Sequence, residues 1–390
     1  MKIAILANFP FTDTSTDTER YYRDIAKVLN SSGMDVEFFN LSNERRESRF
    51  WGFLEHEIKC FAPRGKFIPT VAIIDSIWIL LFGCRYSIGT INKNKQLLKA
   101  LTDYNPNYIL TNSSIFYEFL QSYLRTNKKT KLVFNTDIHT KESYESSLRT
   151  TLSHFGMEFI YPILQKRYVD FNIMTQNKIF ALSTKMIVSS DFHKYAFKRA
   201  FPKYKDKVYT IPGHLVESLR KLPIKTRIKT ILFVGAYDGN LNAINSIKTI
   251  SKMMPDIDFV IAGFGVPKKR NGNLVYYGPY SEKERDYLFK KADMCIAPMT
   301  ESSGGKRAKV IEYLTYGRLV IGTSKAFEGF DGIINNINAV VEDVIEKYPE
   351  RINWLNKHPE TFIKMQKRAL SLLKTHGLQS LVKRWNTILN

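Results

Sequence analysis

Three cysteines in 390 residues, Cys60, Cys84 and Cys295, are odd in number and widely spaced. That excludes a disulfide framework and a cysteine-based zinc site, and it suits a reducing compartment. There is no internal repeat and no low-complexity segment, so solenoids and disordered tails are set aside. The opening MKIAILANFPF passes straight into a strand pattern and lacks the layout of a cleavable leader. Long apolar runs are also missing. The longest, Phe67 to Cys84 (FIPTVAIIDSIWILLFGC), is short of the ~20 residues a spanning helix needs and is broken by Pro69 and Asp75. It reads as a buried helix, or an interfacial one, before a membrane span. The expectation is a cytoplasmic protein, with docking on the inner face of a membrane as its extension.

Acid is the other shortage: 37 Asp and Glu stand against 58 Lys and Arg, a formal charge of +21. Much of the excess is local. From Lys194 to Lys229 there are eleven basic residues against Asp206 and Glu217. Lys194, Lys198, Arg199, Lys203, Lys205 and Lys207 are interleaved with Tyr195, Phe197, Phe201, Tyr204 and Tyr209. Such a patch attracts a polyanion, either anionic lipid headgroups or nucleic acid. A plain solvated face is the alternative.

What is present in quantity is strand–helix alternation. Strand patterns at 2–7, 35–41, 108–112, 132–135 and 186–189 form a first series, with a helix over 18–31 stopped by Ser31-Ser32-Gly33. After Ile211-Pro212-Gly213 and a basic connector the series restarts. It has strands at 230–235, 259–263, 274–277 and 294–297, and helices at 243–253 and 282–291. The length fits two domains. The division is 1–210, a linker 211–229, a second domain 230–370, and a closing helix 371–390 packing back on the first. Alternation of this kind argues for α/β domains with parallel sheets covered on both faces.

The segment Glu301 to Phe330 (ESSGGKRAKVIEYLTYGRLVIGTSKAFEGF) carries the densest chemistry. It reads as a Gly304-Gly305 loop opening a helix, a strand over 318–323, and a turn at Glu328-Gly329-Phe330. Free N–H groups and the helix dipole at such a turn suit a phosphate, with Lys306, Arg307 and Lys309 beside it. Glu312 follows where a carboxylate reaches ribose hydroxyls. An ordinary connection with surface lysines is the alternative reading.

A series of landmarks runs through the second half in a fixed order. They are Ser189-Ser190, then Val208 to Gly213, then Ile231 to Gly235 with Asn240 and Asn242. There follow Phe259 to Gly265, Tyr277-Gly278-Pro279-Tyr280, Ala292 to Pro298, and the segment Gly304 to Gly329. In these pieces and their order, over roughly half the chain, the sequence resembles the GT-B glycosyltransferases, most closely glycosyltransferase family 4. The resemblance implies two Rossmann-like domains with parallel sheets facing across a cleft and C-terminal helices. It implies transfer of a sugar from a nucleotide diphosphate donor, such as a UDP- or GDP-sugar, with retention of the anomeric centre.

In that reading Glu312 holds the donor ribose, Gly304 and Gly305 meet the phosphate or sugar, and Lys306 with Lys309 or Arg307 stabilises the leaving diphosphate. Gly235, Asn240, Asn242, Gly265 and Tyr280 complete the donor side. Asn135-Thr136-Asp137-Ile138-His139 is similar to the family's His-Asp region with the order changed, which makes His139 and Asp137 catalytic candidates. No metal and no cofactor are implied, and Asp256-Ile257-Asp258 reads as a turn. Two departures stand out. Gly304 occupies the place of the first glutamate in the family's paired-glutamate motif, and the loop Ala236 to Asn242 has no cation, a role left to Lys306 and Arg307. Three functions follow: a retaining glycosyltransferase with a lipid-linked or glycan acceptor at an anionic membrane, a DNA glucosyltransferase, and a non-enzymatic polyanion-binding protein on the same scaffold.

Overall fold

A computed structural model describes residues 1–7, 17–40, 95–136, 144–145, 148–149, 152, 158–219, 222–237, 240–301 and 306–390. The apolar run 67–84, Asp137, His139, Gly304 and Gly305 lie outside the described residues. The chain forms two compact units. One holds Met1–Val188, Tyr195–Tyr209 and Ile388–Asn390; the other holds Ser189–Lys194 and Thr210–Thr387.

The first unit is built on β1 (Lys2–Ala7), β2 (Asp35–Asn40), β3 (Tyr108–Thr111), β4 (Lys131–Asn135), β5 (Lys185–Val188) and β6 (Val208–Thr210). They line up in the order β2-β1-β3-β4-β5-β6, with β2 through β5 parallel to their neighbours. Ile3 to Ala7 are all buried, the unbroken apolar run expected of a strand covered on both faces. The helix Asp17–Ser31 ends where the sequence says it must. Gly33 takes φ +80°, its N–H donates to Asn30 O, and Met34 N–H reaches back to Leu29 O. This closure satisfies two of the helix's last carbonyls and needs a residue that tolerates the left-handed region.

The second unit carries β7 (Thr230–Val234), β8 (Asp258–Ala262), β9 (Lys269–Asn271), β10 (Leu274–Gly278), β11 (Met294–Ala297), β12 (Val320–Gly322) and β13 (Val340–Val341). Their order is β13-β12-β11-β7-β8-β10-β9, and all pairs are parallel except the edge hairpin of β9 with β10. β7 therefore has β8 on one side and β11 on the other, so the chain reverses its direction of winding there. At such a switch point the loops leaving the carboxyl ends part to either side, and a parallel sheet accepts a ligand. The residues leading into β7 are held firmly. Lys225 pairs with Asp293 at 2.9 Å, and the second Asp293 oxygen accepts the N–H groups of Lys229 and Thr230. The helices Tyr348–Lys357, Pro359–Ala369 and Leu378–Leu389 close the chain.

Strand and helix positions follow the periodicity within a residue or two at most sites. The segment from Glu301 yields the expected helix, Ala308–Thr315, and the expected strand, β12. Asp256 is in the turn before β8, and Asp258 opens that strand, paired with Arg270 at 2.8 Å. Among the described residues no group of ligands is placed to hold a metal ion, and no helix is long and apolar enough to cross a membrane.

Candidate functional site

The helix Ala308–Thr315 buries Val310, Ile311, Tyr313 and Leu314 against the second core. The 3.6-residue period then brings Lys309 and Glu312 together at the edge of that buried face, with Tyr313 next to both. Tyr313 accepts the Val234 N–H on its hydroxyl at 2.8 Å, which fastens this helix to the last residue of β7. One turn earlier, Lys309 Nζ donates to Asn240 Oδ1 at 2.5 Å and lies 4.6 Å from the centre of the Phe233 ring. Asn240 occupies the cap position of the helix Leu241–Met253 without using its side chain as a cap. Its amide nitrogen instead donates to Ala236 O at 2.7 Å, which turns its oxygen toward the ammonium.

Gly235 completes this corner. A Cβ there would meet Lys309 Nζ and Asn240 Nδ2, each at 2.9 Å. At the neighbouring strand end, a Cβ on Gly263 would fall 2.1 Å from the Gly235 carbonyl oxygen. Only glycine permits this approach of β7 and β8. Gly265 adopts φ +74°, and Asn242 Nδ2 donates to Glu301 Oε1 at 3.4 Å. A cation thus stands at the mouth of the switch point, although the loop Ala236 to Asn242 contains none. It comes from the helix 69 residues beyond Asn240.

Glu312 faces Arg285, with 3.5 Å between carboxylate and guanidinium and only about a sixth of each side chain exposed. Burial is the largest influence on Arg285 and works against its charge, but Glu312, Tyr316 and Glu282 together outweigh it and raise the guanidinium above its ordinary range. The carboxylate is thereby held in place beside the helix that carries Lys309. Tyr280 is half-buried against the same core.

Lys306 has a different setting. Its side chain is 4% exposed, Asp331 lies 4.0 Å from its ammonium, and the Phe330 ring centre lies 5.6 Å from it. Burial lowers its pKa, with Asp331 opposing. Its backbone N–H donates to Ser189 Oγ, which in turn lies 3.3 Å from His193 Nδ1. Ser190 Oγ is closer still to that nitrogen, at 2.5 Å. Gly329, at φ +81°, packs on the imidazole so closely that a Cβ would be 2.4 Å from His193 Cε1. Arg307 is engaged by backbone: its guanidinium donates to Lys325 O at 3.3 Å and to Glu301 O.

Lys309, Asn240 and Gly235 are therefore brought together; Glu312 shares the helix of Lys309, while Lys306 and Arg307 occupy environments of their own. Sequence reasoning missed Arg285 and His193. Arg285 is embedded in the run Glu282-Lys283-Glu284-Arg285-Asp286, which reads as a solvated face. His193 has no motif around it beyond the Ser189-Ser190 pair. Of the basic patch, Lys198, Arg199, Lys203 and Lys205 are exposed, and Lys194 is half-buried. Lys207 donates to Ala181 O and Ser183 O, closing the C-terminal end of the helix Tyr161–Leu182.

No protein-family model and no curated protein sequence matches the chain. Solved structures do match, end to end. Alr3699/HepE of Anabaena, in complex with UDP-glucose, has a TM-score of 0.63 and 11% identity over 100% of this chain and 99% of that one. The catalytic domain of starch synthase IV from Arabidopsis thaliana, bound to ADP and acarbose, gives 0.65 and 11% over 100% and 98%. The lipopolysaccharide outer core galactosyltransferase WaaB, in its apo form, gives 0.56 and 12% over 100% and 99%. The chain has the GT-B fold. At such low identity the likeness is one of fold. In this GT-B chain, the arrangement at the end of β7 supplies an ammonium, glycine backbone and a nearby held carboxylate, a set able to bind a phosphate ester of a polyol.

Proposed function

We propose that the protein is a glycosyltransferase that moves a sugar from a nucleotide diphosphate donor to an acceptor, with retention at the anomeric carbon. The observation that carries this reading is Lys309, held by Asn240 against Gly235 at the switch point of the second sheet. As the bond from the anomeric carbon to the phosphate oxygen breaks, positive charge develops on the sugar and negative charge on the departing diphosphate. A preoriented ammonium lowers the barrier because its attraction is greatest when that charge is greatest. Glu312, three residues on, is a carboxylate suited to ribose hydroxyls. Two structures of the same fold were solved with UDP-glucose and with ADP, which supports a nucleotide at this sheet.

The acceptor in this reading is lipid-linked or a glycan at an anionic membrane surface, favoured by the exposed Lys198, Arg199, Lys203 and Lys205. Flotation with anionic and neutral liposomes at low salt tests that part, and equal absence of binding would remove it. The donor is tested by thermal melting with UDP, GDP, ADP and CMP, without added metal. A ligand at a hundredfold excess over its Kd stabilises by ~2.7 kcal/mol. One nucleotide should raise the midpoint, and Lys309→Met or Glu312→Ala should abolish the shift. No shift with any of the four would replace the enzyme by a polyanion-binding protein.

A further inference from the structure

Phe264 is 72% exposed, the highest value among the described large apolar side chains of the second unit. A lone exposed ring is ordinary on a protein surface. The mounting of this one is not. Phe264 follows β8 at its carboxyl end, between two glycines with positive φ, Gly263 at +150° and Gly265 at +74°. The Val266 N–H donates to Gly263 O at 3.2 Å across the turn, so Phe264 and Gly265 are its central residues. A positive φ at the second of these is the signature of a type II turn. Gly263 is pressed against the Gly235 carbonyl, and the Phe264 carbonyl accepts the Tyr237 N–H at 2.8 Å. The turn is thus bonded to the loop that starts at Gly235 and carries Asn240, the residue that holds Lys309.

A flat π-surface and an ammonium are therefore fixed to the same short loop at the ligand-accepting edge of the sheet. A nucleoside diphosphate has the matching pair of features, a planar base at one end and a polyanion at the other. We propose that Phe264 is the platform on which the nucleobase of the donor stacks. The proposal rests on the nucleotide-sugar reading above and adds to it the residue that meets the base. Stacking accepts any base, because each has a π-face, so Phe264 supplies affinity and leaves the choice of base to hydrogen-bonding groups around it.

The test is calorimetric titration of the full chain with UDP, GDP and ADP, for the wild type and for Phe264→Ala, Phe264→Leu, Phe264→Tyr and Lys309→Met. Base–aromatic stacking contributes ~1–3 kcal/mol, so Phe264→Ala should weaken the best-binding nucleotide by roughly 5- to 150-fold. Phe264→Leu should show most of that loss and Phe264→Tyr should restore wild-type affinity, while all three melt close to the wild type because the ring is exposed. A wild-type Kd in Phe264→Ala, or in Phe264→Leu, would overturn the platform while leaving the nucleotide site standing. No binding of any of the three nucleotides by the wild type would overturn the functional reading and the platform with it.

Discussion

Acid should destabilise this protein well above the pH at which its carboxylates protonate, and two imidazoles set the size of the effect. His193 is 3% exposed and His376 is fully buried. Burial, chiefly, pushes His193 from 6.5 down to about 4, with Lys306 adding to the fall and Glu328 opposing it. His376 is pushed to about 3, again mostly by burial, with Lys306 contributing. Both Nε2 atoms are buried without a hydrogen-bond partner among the described residues. Below pH 6.5 the unfolded chain binds protons that the folded chain refuses, so stability rises with pH through this window and falls as pH is lowered. At pH 5 both folded imidazoles are still neutral, and the loss for each depends almost wholly on the unfolded value, giving ~2 kcal/mol per histidine. The pair removes ~4 kcal/mol between pH 7.5 and 5, a large share of the stability of an ordinary domain. Glu284, whose carboxylate the Ser281 N–H and hydroxyl hold below the usual range, acts in the same direction but chiefly below this window, once pH falls to the ordinary carboxylate value. Urea denaturation at pH 7.5, 6 and 5 measures the slope. Asn can keep a polar atom near the place of Nδ1, so His193→Asn and His376→Asn should each flatten the slope by about half. A wild type equally stable at pH 7.5 and 5, or a double variant with the wild-type slope, would refute the reasoning.

Gly263→Ala should cost ~3 kcal/mol in chemical denaturation, since its Cβ would meet the Gly235 carbonyl and its φ of +150° strains any other residue. Gly33→Ala, with open space around it and only the left-handed φ to oppose it, should cost ~1 kcal/mol. Arg285→Met removes the guanidinium from beside the mostly buried Glu312 carboxylate and should destabilise by ~2–3 kcal/mol. Pairing it with Glu312→Gln should recover part of that loss, and a double-mutant cycle that proves additive would refute the coupling. Lys207→Met removes the cation from the end of the helix Tyr161–Leu182 and should lower stability by ~0.5–1 kcal/mol. If Lys207 served only a surface patch, thermal melting would not change.

Periodicity alone determined most of the architecture. Apolar runs such as Ile3 to Ala7 and Ile231 to Val234 are covered on both faces, and the burial they need leaves few alternatives to a parallel sheet. Gly33 could be read as a helix stop because the physics is local: the residue that ends the helix must tolerate a left-handed backbone. The spacing of Lys309 and Glu312 on one helix was legible for the same reason. Tertiary structure decided everything that depends on distant residues meeting. A loop without a cation, Ala236 to Asn242, receives one from Lys309, and no local pattern encodes that return. Arg285, in a run of charges that reads as solvent-facing, turns inward because Glu312 arrives opposite it. His193 and His376 are kept neutral by burial, which for His193 comes from the Gly329 turn packed on its ring. The chain's own periods fix its strands and helices, whereas the charge states and partners of its site are fixed only once burial has removed water from them.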